Sequence, residues 1–295
     1  MQNRTFYIVD VFAEQKYAGN QLAVVRDANR VSDDEMQRIA KEMNYSETSF
    51  ILSDKQRNGG YDARYFTPKT EVPFAGHPTL GTAYVIQREI IRKAVEDVTL
   101  NLKVGQIPVS LTYRGEQTDL LWMKQKQPTF GQAYDPQPVA QVLNIHPSDI
   151  DQRFTIREVS TGIPFIITPL KTLDAVRKIR VAKDEYFDMV KDTWAKSILV
   201  FCPETYDPKN DLNVRVFADY HGVPEDPATG SANGCLAAYL AKDRYFGTSH
   251  VDIRVEQGYE IGRPSLLYLR ADAKQDSVDV HVGGRVEMVA RGELL

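Results

Sequence analysis

One short pattern occurs twice in this chain, about half a chain length apart. The first copy runs Phe66-Thr67-Pro68, then Val72-Pro73, then Gly76-His77-Pro78-Thr79-Leu80-Gly81-Thr82-Ala83. The second runs Phe217-Ala218-Asp219, then Val223-Pro224, then Glu225-Asp226-Pro227-Ala228-Thr229-Gly230-Ser231-Ala232. The copies are offset by 151 residues at the phenylalanine and by 149 at the final alanine, so a two-residue deletion aligns them. The same order of strand, loop and helix surrounds both, which makes duplication of one unit the better reading. In this alignment His77 falls opposite Asp226. A chain of 295 residues exceeds a comfortable single core, and two units of ordinary size fit its length.

The pattern around the repeat is mixed, with strands in the majority. Thr5–Phe12 and Leu22–Arg26 read as strands. Ser32 offers an N-cap with Glu35 as the other half of a capping box, and Met36, Ile39, Ala40 and Met43 follow on one helical face. Phe50 and Leu52 alternate with polar residues, which places Glu47 at a strand entrance. Tyr61–Thr67 is a further strand, and the segment from His77 to about Gln87 reads as a helix. Strands are expected at 98–104, 107–113 and 120–126, followed by a Pro- and Gln-rich loop from Gln125 to Pro138 as the domain junction. The second half repeats the theme, with strands near 165–168, 197–201 and 212–217 and a helix from about Thr229 to Ala241.

Composition removes several function classes. With 36 Lys+Arg against 40 Asp+Glu the formal charge is -4, no footprint for nucleic acid. No apolar stretch approaches the ~18 residues of a membrane span, and the N-terminus lacks the features of a signal peptide. The only cysteines, Cys202 and Cys235, have no framework spacing, which fits a reducing cytoplasm. The five histidines show no ligand spacing, so neither a metal nor a cofactor is expected.

Each repeated segment is a Gly/Pro-rich loop running into a helix. Glycine lets backbone approach a ligand, and proline near the first turn gives up only an N–H that the helix cannot use. The remaining free N–H groups and the helix dipole make an anion site, and two such starts facing one cleft would grip a carboxylate. The plainer alternative is a pair of tight connections that let small-residue helices pack closely. Gly76-x4-Gly81-Thr82 is not a phosphate loop, because the lysine before the hydroxyl residue is missing. Glu47, between Ser46 and Thr48, is placed to act as base and acid if a cleft desolvates it, or else it is an ordinary surface glutamate. His77 and Asp226 likewise read either as site residues or as helix caps. Glu71 and Glu225 read as loop charges, and Cys235 as packing.

Together these segments resemble the PhzF-like phenazine biosynthesis family nearly end to end. The resemblance rests on Val9-Asp10-Val11-Phe12 with Gly19-Asn20, on Glu42–Phe50, on Phe66-Thr67-Pro68 with Val72–Ala83, on Val223–Ala232, and on Gln257-Gly258 with Ile261–Ser265. It implies an α+β architecture of two pseudo-symmetric domains with the diaminopimelate-epimerase-like fold. In that fold each domain is a curved, mostly antiparallel sheet around a central helix, with the active site between the domains. The expected domains are 1–125 and 126–295, with the last strand, about 283–295, returning to the first. The family's catalytic glutamate matches Glu47, and its loop residues match Gly76, His77, Asp226, Gly230 and Ser231.

Epimerases of this fold use two cysteine thiols at the helix starts. By similarity those places fall near Ala75 and Ala228 here, and the repeat puts Lys196 or Ser197 opposite Glu47. A single-base proton shift therefore fits better than racemisation. The resemblance implies an isomerase that moves an allylic proton on a small anionic substrate, with Glu47 as base and acid. His77 and Asp226 would orient the substrate or relay protons, and Gly76, Gly230 and Ser231 would bind it. An epimerase, or a binding protein of the same fold without chemistry, are the alternatives. A homodimer is the expected assembly.

Overall fold

A computed structural model describes residues 4–295. The chain divides into two compact units, Met1–Met123 with Gly283–Leu295, and Lys124–Val282.

In the first unit β1 (Arg4–Val11) and β2 (Asn20–Val25) pair antiparallel. Helix α1 (Asp33–Met43) leads to β3 (Glu47–Ile51), which lies parallel to β2, and β4 (Tyr61–Phe66) returns antiparallel to β3. The short β5 (Glu71–Val72) folds back on β4 and delivers the chain to α2 (Gly76–Val85). Strand β6 (Asp97–Leu102) runs parallel to β4, and β7 (Gly105–Arg114) and β8 (Gln117–Lys124) follow antiparallel.

The second unit opens with β9 (Thr129–Ala133) and α3 (Pro136–Leu143), and β10 (Arg157–Ser160) pairs antiparallel with β9. Strand β11 (Pro164–Pro169) is antiparallel to β10, and α4 (Leu173–Lys178) and α5 (Lys183–Val190) lead to β12 (Ser197–Cys202), parallel to β11. Strand β13 (Leu212–Phe217) is antiparallel to β12 and precedes α6 (Gly230–Lys242). Strand β14 (His250–Gln257) is parallel to β13, and β15 (Ser265–Ala273) and β16 (Val278–Gly284) complete the set. Strand β17 (Val286–Leu294) belongs to the first unit, where it pairs antiparallel with β1.

The two units thus share one internal ladder: antiparallel, parallel, antiparallel, then helix, then a parallel strand. Register makes the equivalence residue-specific. Phe66 faces Thr48 across β3–β4, and Phe217 faces Ile198 across β12–β13. One step back, Glu47 opens β3 where Ser197 opens β12.

Each unit is built around a helix of mostly small and apolar residues with no polar face, which is the pattern of a buried helix and not of a surface one. From His77 to Val85 every residue of α2 is buried, against β1, β2, β3 and β6. Gly81 permits this approach: a Cβ there would lie 2.6 Å from Leu22 Cδ2 and 2.9 Å from Val11 Cγ2. In α6 every residue from Ala232 to Ala241 is buried, against β10, β11, β14 and β15.

Local signals mostly act as the sequence indicates. Ser32 caps α1 by accepting from Glu35 N–H, but the Glu35 carboxylate faces Arg4 at 3.7 Å and does not complete a capping box. Helix α2 does not stop near Gln87. It continues as a wider π-turn, Ile86–Ile91, ended by left-handed Arg92. No Gly or Pro intervenes to stop it, and the buried Gln87 side chain holds Lys93 O and the Thr118 hydroxyl. The expected loop from Gln125 to Pro138 contains β9, whose residues are half or fully exposed and so carry no alternation to read. Among the described residues no helix is long and apolar enough to cross a membrane.

Candidate active site

Glu47 owes its place to the end of α1. Asn44 adopts the left-handed conformation that closes the helix, its N–H bonding Ala40 O at 3.1 Å, and the chain turns directly into β3. Residues 48–51 are buried, whereas the Glu47 side chain, at the strand mouth, keeps 19% of its surface exposed.

His77 is the second residue of α2, not its cap. The N-cap is Ala75, which has no side-chain group to offer the first N–H groups. A hydroxyl ladder fastens this helix start to the sheet behind it. Tyr65 OH donates to Thr79 Oγ1, Thr79 Oγ1 donates to Ala75 O at 2.7 Å, and Ser49 and Thr82 share a 2.6 Å bond.

The imidazole is only 6% exposed, and it hydrogen-bonds the backbone carbonyl of Gln21. Burial drives its pKa from 6.5 down to about 3, with the Gln21 bond opposing weakly. The ring is therefore neutral, and its Nε2 has no hydrogen-bond partner among the described residues. Nε2 lies 3.7 Å from Glu47 Oε2. This contact is not an ion pair.

In the second unit Asp226 is held at three points. Its N–H bonds Val216 O at 3.1 Å, its carbonyl accepts from Gln257 Nε2 at 2.8 Å, and its Oδ2 accepts from the Thr229 hydroxyl at 2.5 Å. Thr229 is the N-cap of α6, yet its hydroxyl is turned to Asp226 and does not cap the helix. Gly230 and Ser231 open the helix, the glycine buried and the serine half-buried. Gln257 and Asn233, both fully buried, brace this loop: Gln257 Oε1 accepts from Thr229 N–H and from Asn233 Nδ2. Gly258 lets the brace come close. At φ +79°, a Cβ there would stand 2.5 Å from Pro227 O.

Glu47, Gly76 and His77 thus lie together in the first unit, and Asp226, Gly230 and Ser231 together in the second. The residues at the proposed thiol places are Ala75 and Ala228. Cys202 and Cys235 are buried elsewhere, and burial pushes both thiols up to about 12. Among the described residues no group of three or more His, Cys, Asp and Glu is placed to hold a metal ion.

Sequence reasoning assigned no role to Gln21, whose contribution is a backbone carbonyl and leaves no trace in residue type. Gln257-Gly258 was visible as a motif without a function. Glu71 and Glu225 are not free loop charges. Each makes a two-point bond to an arginine, Arg64 and Arg215 respectively.

Comparison with known proteins agrees with this architecture. The family described as phenazine biosynthesis-like protein, PhzC-PhzF, matches residues 9–292. A trans-2,3-dihydro-3-hydroxyanthranilate isomerase of Pseudomonas chlororaphis is 34% identical over 302 residues, covering 98% of this chain and 99% of that one. The crystal structure of a PhzF-family phenazine biosynthesis protein from Bacillus anthracis superposes with a TM-score of 0.91 at 29% identity, over all of both chains. A probable proline racemase from Agrobacterium radiobacter, at 9% identity, shares the fold with a TM-score of 0.61 over 99% of this chain and 93% of that one. The fold is α+β of the diaminopimelate-epimerase-like kind, and the chain belongs to the PhzC-PhzF family of isomerases.

Proposed function

We propose that this enzyme moves an allylic proton on a small unsaturated amino or hydroxy acid, without a cofactor, and that Glu47 is its base and acid. The observation that carries this reading is the 3.7 Å approach of Glu47 to Nε2 of a buried, neutral His77. Ionised Glu47 takes a proton from carbon and becomes a carboxylic acid, leaving a delocalised carbanion. It then returns the proton to another carbon of the same allylic system, so atoms and charge balance and no oxidant is needed. In the acid form Glu47 is a donor, and His77 Nε2 is the acceptor beside it. His77 thus stabilises the state in which the enzyme holds the substrate's proton.

Helix starts with unengaged N-terminal N–H groups favour negative charge. In this reading Gly76, Gly230 and Ser231 hold the substrate's carboxylate and the charge that develops beside it, and Asp226 orients a donor group of the substrate. An epimerase needs an acid on each face of the carbon. The register gives Ser197, buried and not titratable near neutrality, as the counterpart of Glu47. This favours a shift on one face. The small anionic substrate and a cytoplasmic setting belong to the same proposal.

The test is mass spectrometry in deuterated water. The first probe is trans-2,3-dihydro-3-hydroxyanthranilate, the compound in the relative's name, followed by a panel of small unsaturated amino and hydroxy acids. The expected result is protein-dependent deuterium uptake with a displaced double bond, abolished in Glu47→Gln. Uptake at a stereocentre with loss of optical activity would instead establish an epimerase.

A further inference from the structure

An arginine two residues before the repeated phenylalanine makes the same set of contacts in both units. In the first, Arg64 Nε and Nη2 donate to Glu71 Oε1 and Oε2, both at 2.8 Å, and the guanidinium lies over the Phe66 ring at 5.2 Å. In the second, Arg215 Nε and Nη2 donate to Glu225 Oε1 and Oε2 at 2.9 and 2.7 Å, and the guanidinium lies over Phe217 at 4.9 Å. The same edge of the guanidinium is used each time. Arginine and phenylalanine share a strand face at two-residue spacing, so the stacking follows from the strand itself.

The remaining guanidinium nitrogen is also used alike. Arg64 Nη1 donates to Asp33 Oδ1 at 2.6 Å, at the start of α1. Arg215 Nη1 donates to Val176 O and Ile179 O at 2.9 and 3.3 Å, at the end of α4. Lys103 adds a second cation to Glu71 at 2.5 Å. Both pairs are largely buried, with side-chain exposures of 20% and 16% in the first unit and 6% and 11% in the second.

The two glutamates do not align. Glu71 precedes Val72-Pro73, whereas Glu225 follows Val223-Pro224. Each nonetheless anchors the segment that enters the site helix. Glu71 stands opposite Phe66 in the β4–β5 ladder, five residues before Gly76, and Glu225 adjoins Asp226, whose N–H rejoins β13 at Val216. Ordinary packing of a loop does not require the same two-point bond, stacked ring and third acceptor to occur twice with different spacing.

We propose that Arg64–Glu71 and Arg215–Glu225 are positioning pairs, which hold the loops that present His77 and Asp226 to the substrate. The further hydrogen bonds of the pairs run to Asp33, Lys103, Val176 O and Ile179 O. The pairs fix the backbone path, and a bidentate guanidinium–carboxylate bond does so with defined angle as well as distance. This inference rests on His77 and Asp226 being site residues, so one arm of the test is independent of turnover.

That arm is nitrogen-15 NMR of histidine-labelled protein. Native His77 should show one neutral tautomer and no titration between about pH 5 and 8, the range in which an ordinary histidine changes charge. Glu71→Ala should bring a His77 titration into that window, while Glu225→Ala leaves the His77 signal unmoved. The second arm is a double-mutant cycle on the probe acid that the native enzyme turns over. Glu225→Ala should lower kcat ~10- to 100-fold, the scale of a misplaced group, with KM altered under ~3-fold. In an Asp226→Asn background the same change should add less than ~2-fold, because its effect passes through Asp226. If either alanine variant fails to fold, Glu71→Gln and Glu225→Gln keep the shape and should give the same pattern at smaller size. An unchanged His77 spectrum in the folded Glu71 variant, or fully additive losses at Glu225 and Asp226, overturns the proposal. Failure of the proton-shift reading would show separately, as undiminished turnover in Glu47→Gln.

Discussion

His77 Nε2 stands 3.7 Å from Glu47 Oε2, with the imidazole held neutral by its burial. A proton carried by the Glu47 carboxyl group would make that approach a favourable one. In the proposed mechanism that is the form Glu47 takes while it holds the substrate's proton. Glu47→Gln keeps the shape and removes the basicity, and turnover should fall by at least ~10²-fold, the low end for loss of a general base. Binding of a small carboxylate, measured by calorimetry, should change little. Turnover within a few-fold of native would remove Glu47 from the mechanism.

The same histidine makes a prediction about acid stability. Its pKa is 6.5 in an unfolded chain and about 3 in the folded protein, so the unfolded state takes up the proton first. The stability that depends on neutral His77 is fully present above pH 6.5 and drains away as the pH falls toward 3. The slope approaches about 1.4 kcal/mol per pH unit. Carboxylates contribute a similar trend in any variant, so the informative quantity is the difference between native protein and His77→Gln. Urea unfolding at pH 6 and pH 4.5 should show that difference shifting in favour of the variant as the pH drops. Parallel profiles would mean that His77 titrates normally.

Gly258 is a single atom's width from the Asp226 loop. With φ at +79° and backbone oxygens of Arg263 and Pro227 2.4 and 2.5 Å from a would-be Cβ, no flexible side chain is available to yield. Gly258→Ala should cost at least ~1 kcal/mol from the left-handed conformation alone, and more from displacement of Pro227. Activity per folded molecule should fall as well, since Pro227 follows Asp226 directly. Thermal unfolding and active-site turnover, measured together, separate the two effects. A destabilised but fully active variant would show that the Pro227 backbone can move without consequence.

The thiols supply a contrasting case. With Cys202 and Cys235 both pushed up to about 12 by burial, neither is a thiolate near neutral pH. Their hydrogen bonds run to Glu204 O and Ile163 O, which a serine hydroxyl can also satisfy. The paired change Cys202→Ser with Cys235→Ser should keep activity within ~3-fold of native, and iodoacetamide at pH 8 should leave the folded enzyme unmodified. Rapid alkylation with loss of activity would reinstate a thiol mechanism.

The central helices and their entry loops were legible because their signals are local: glycine, proline and small residues in a fixed order, repeated at nearly half the chain. The place of Glu47 at the mouth of β3 was legible from the helical face before it and the apolar strand after it. What supports these residues was not. The Gln21 carbonyl acts through backbone, which every residue possesses. The Arg–Glu pairs hide because Glu71 and Glu225 occupy different steps of the repeat, so an alignment that matches Val72-Pro73 to Val223-Pro224 sets them out of register. Strand β9 escaped because a strand exposed on both faces has no reason to alternate. The π-turn after Val85 has no compositional mark at all, only the absence of a stop before Arg92.

The pairing of β17 with β1 orders events during synthesis. Strand β1 emerges from the ribosome well before β17, so one of its two neighbours is not made until residues 124–282 have been translated. Until then the outer backbone groups of Arg4–Val11 have no strand to bond, while Lys124–Val282 is continuous in sequence and can close on itself. The second unit should therefore consolidate before the first, and nascent chains halted anywhere before Val286 should present β1 as an open edge, the kind of surface that chaperones cover and that aggregates recruit.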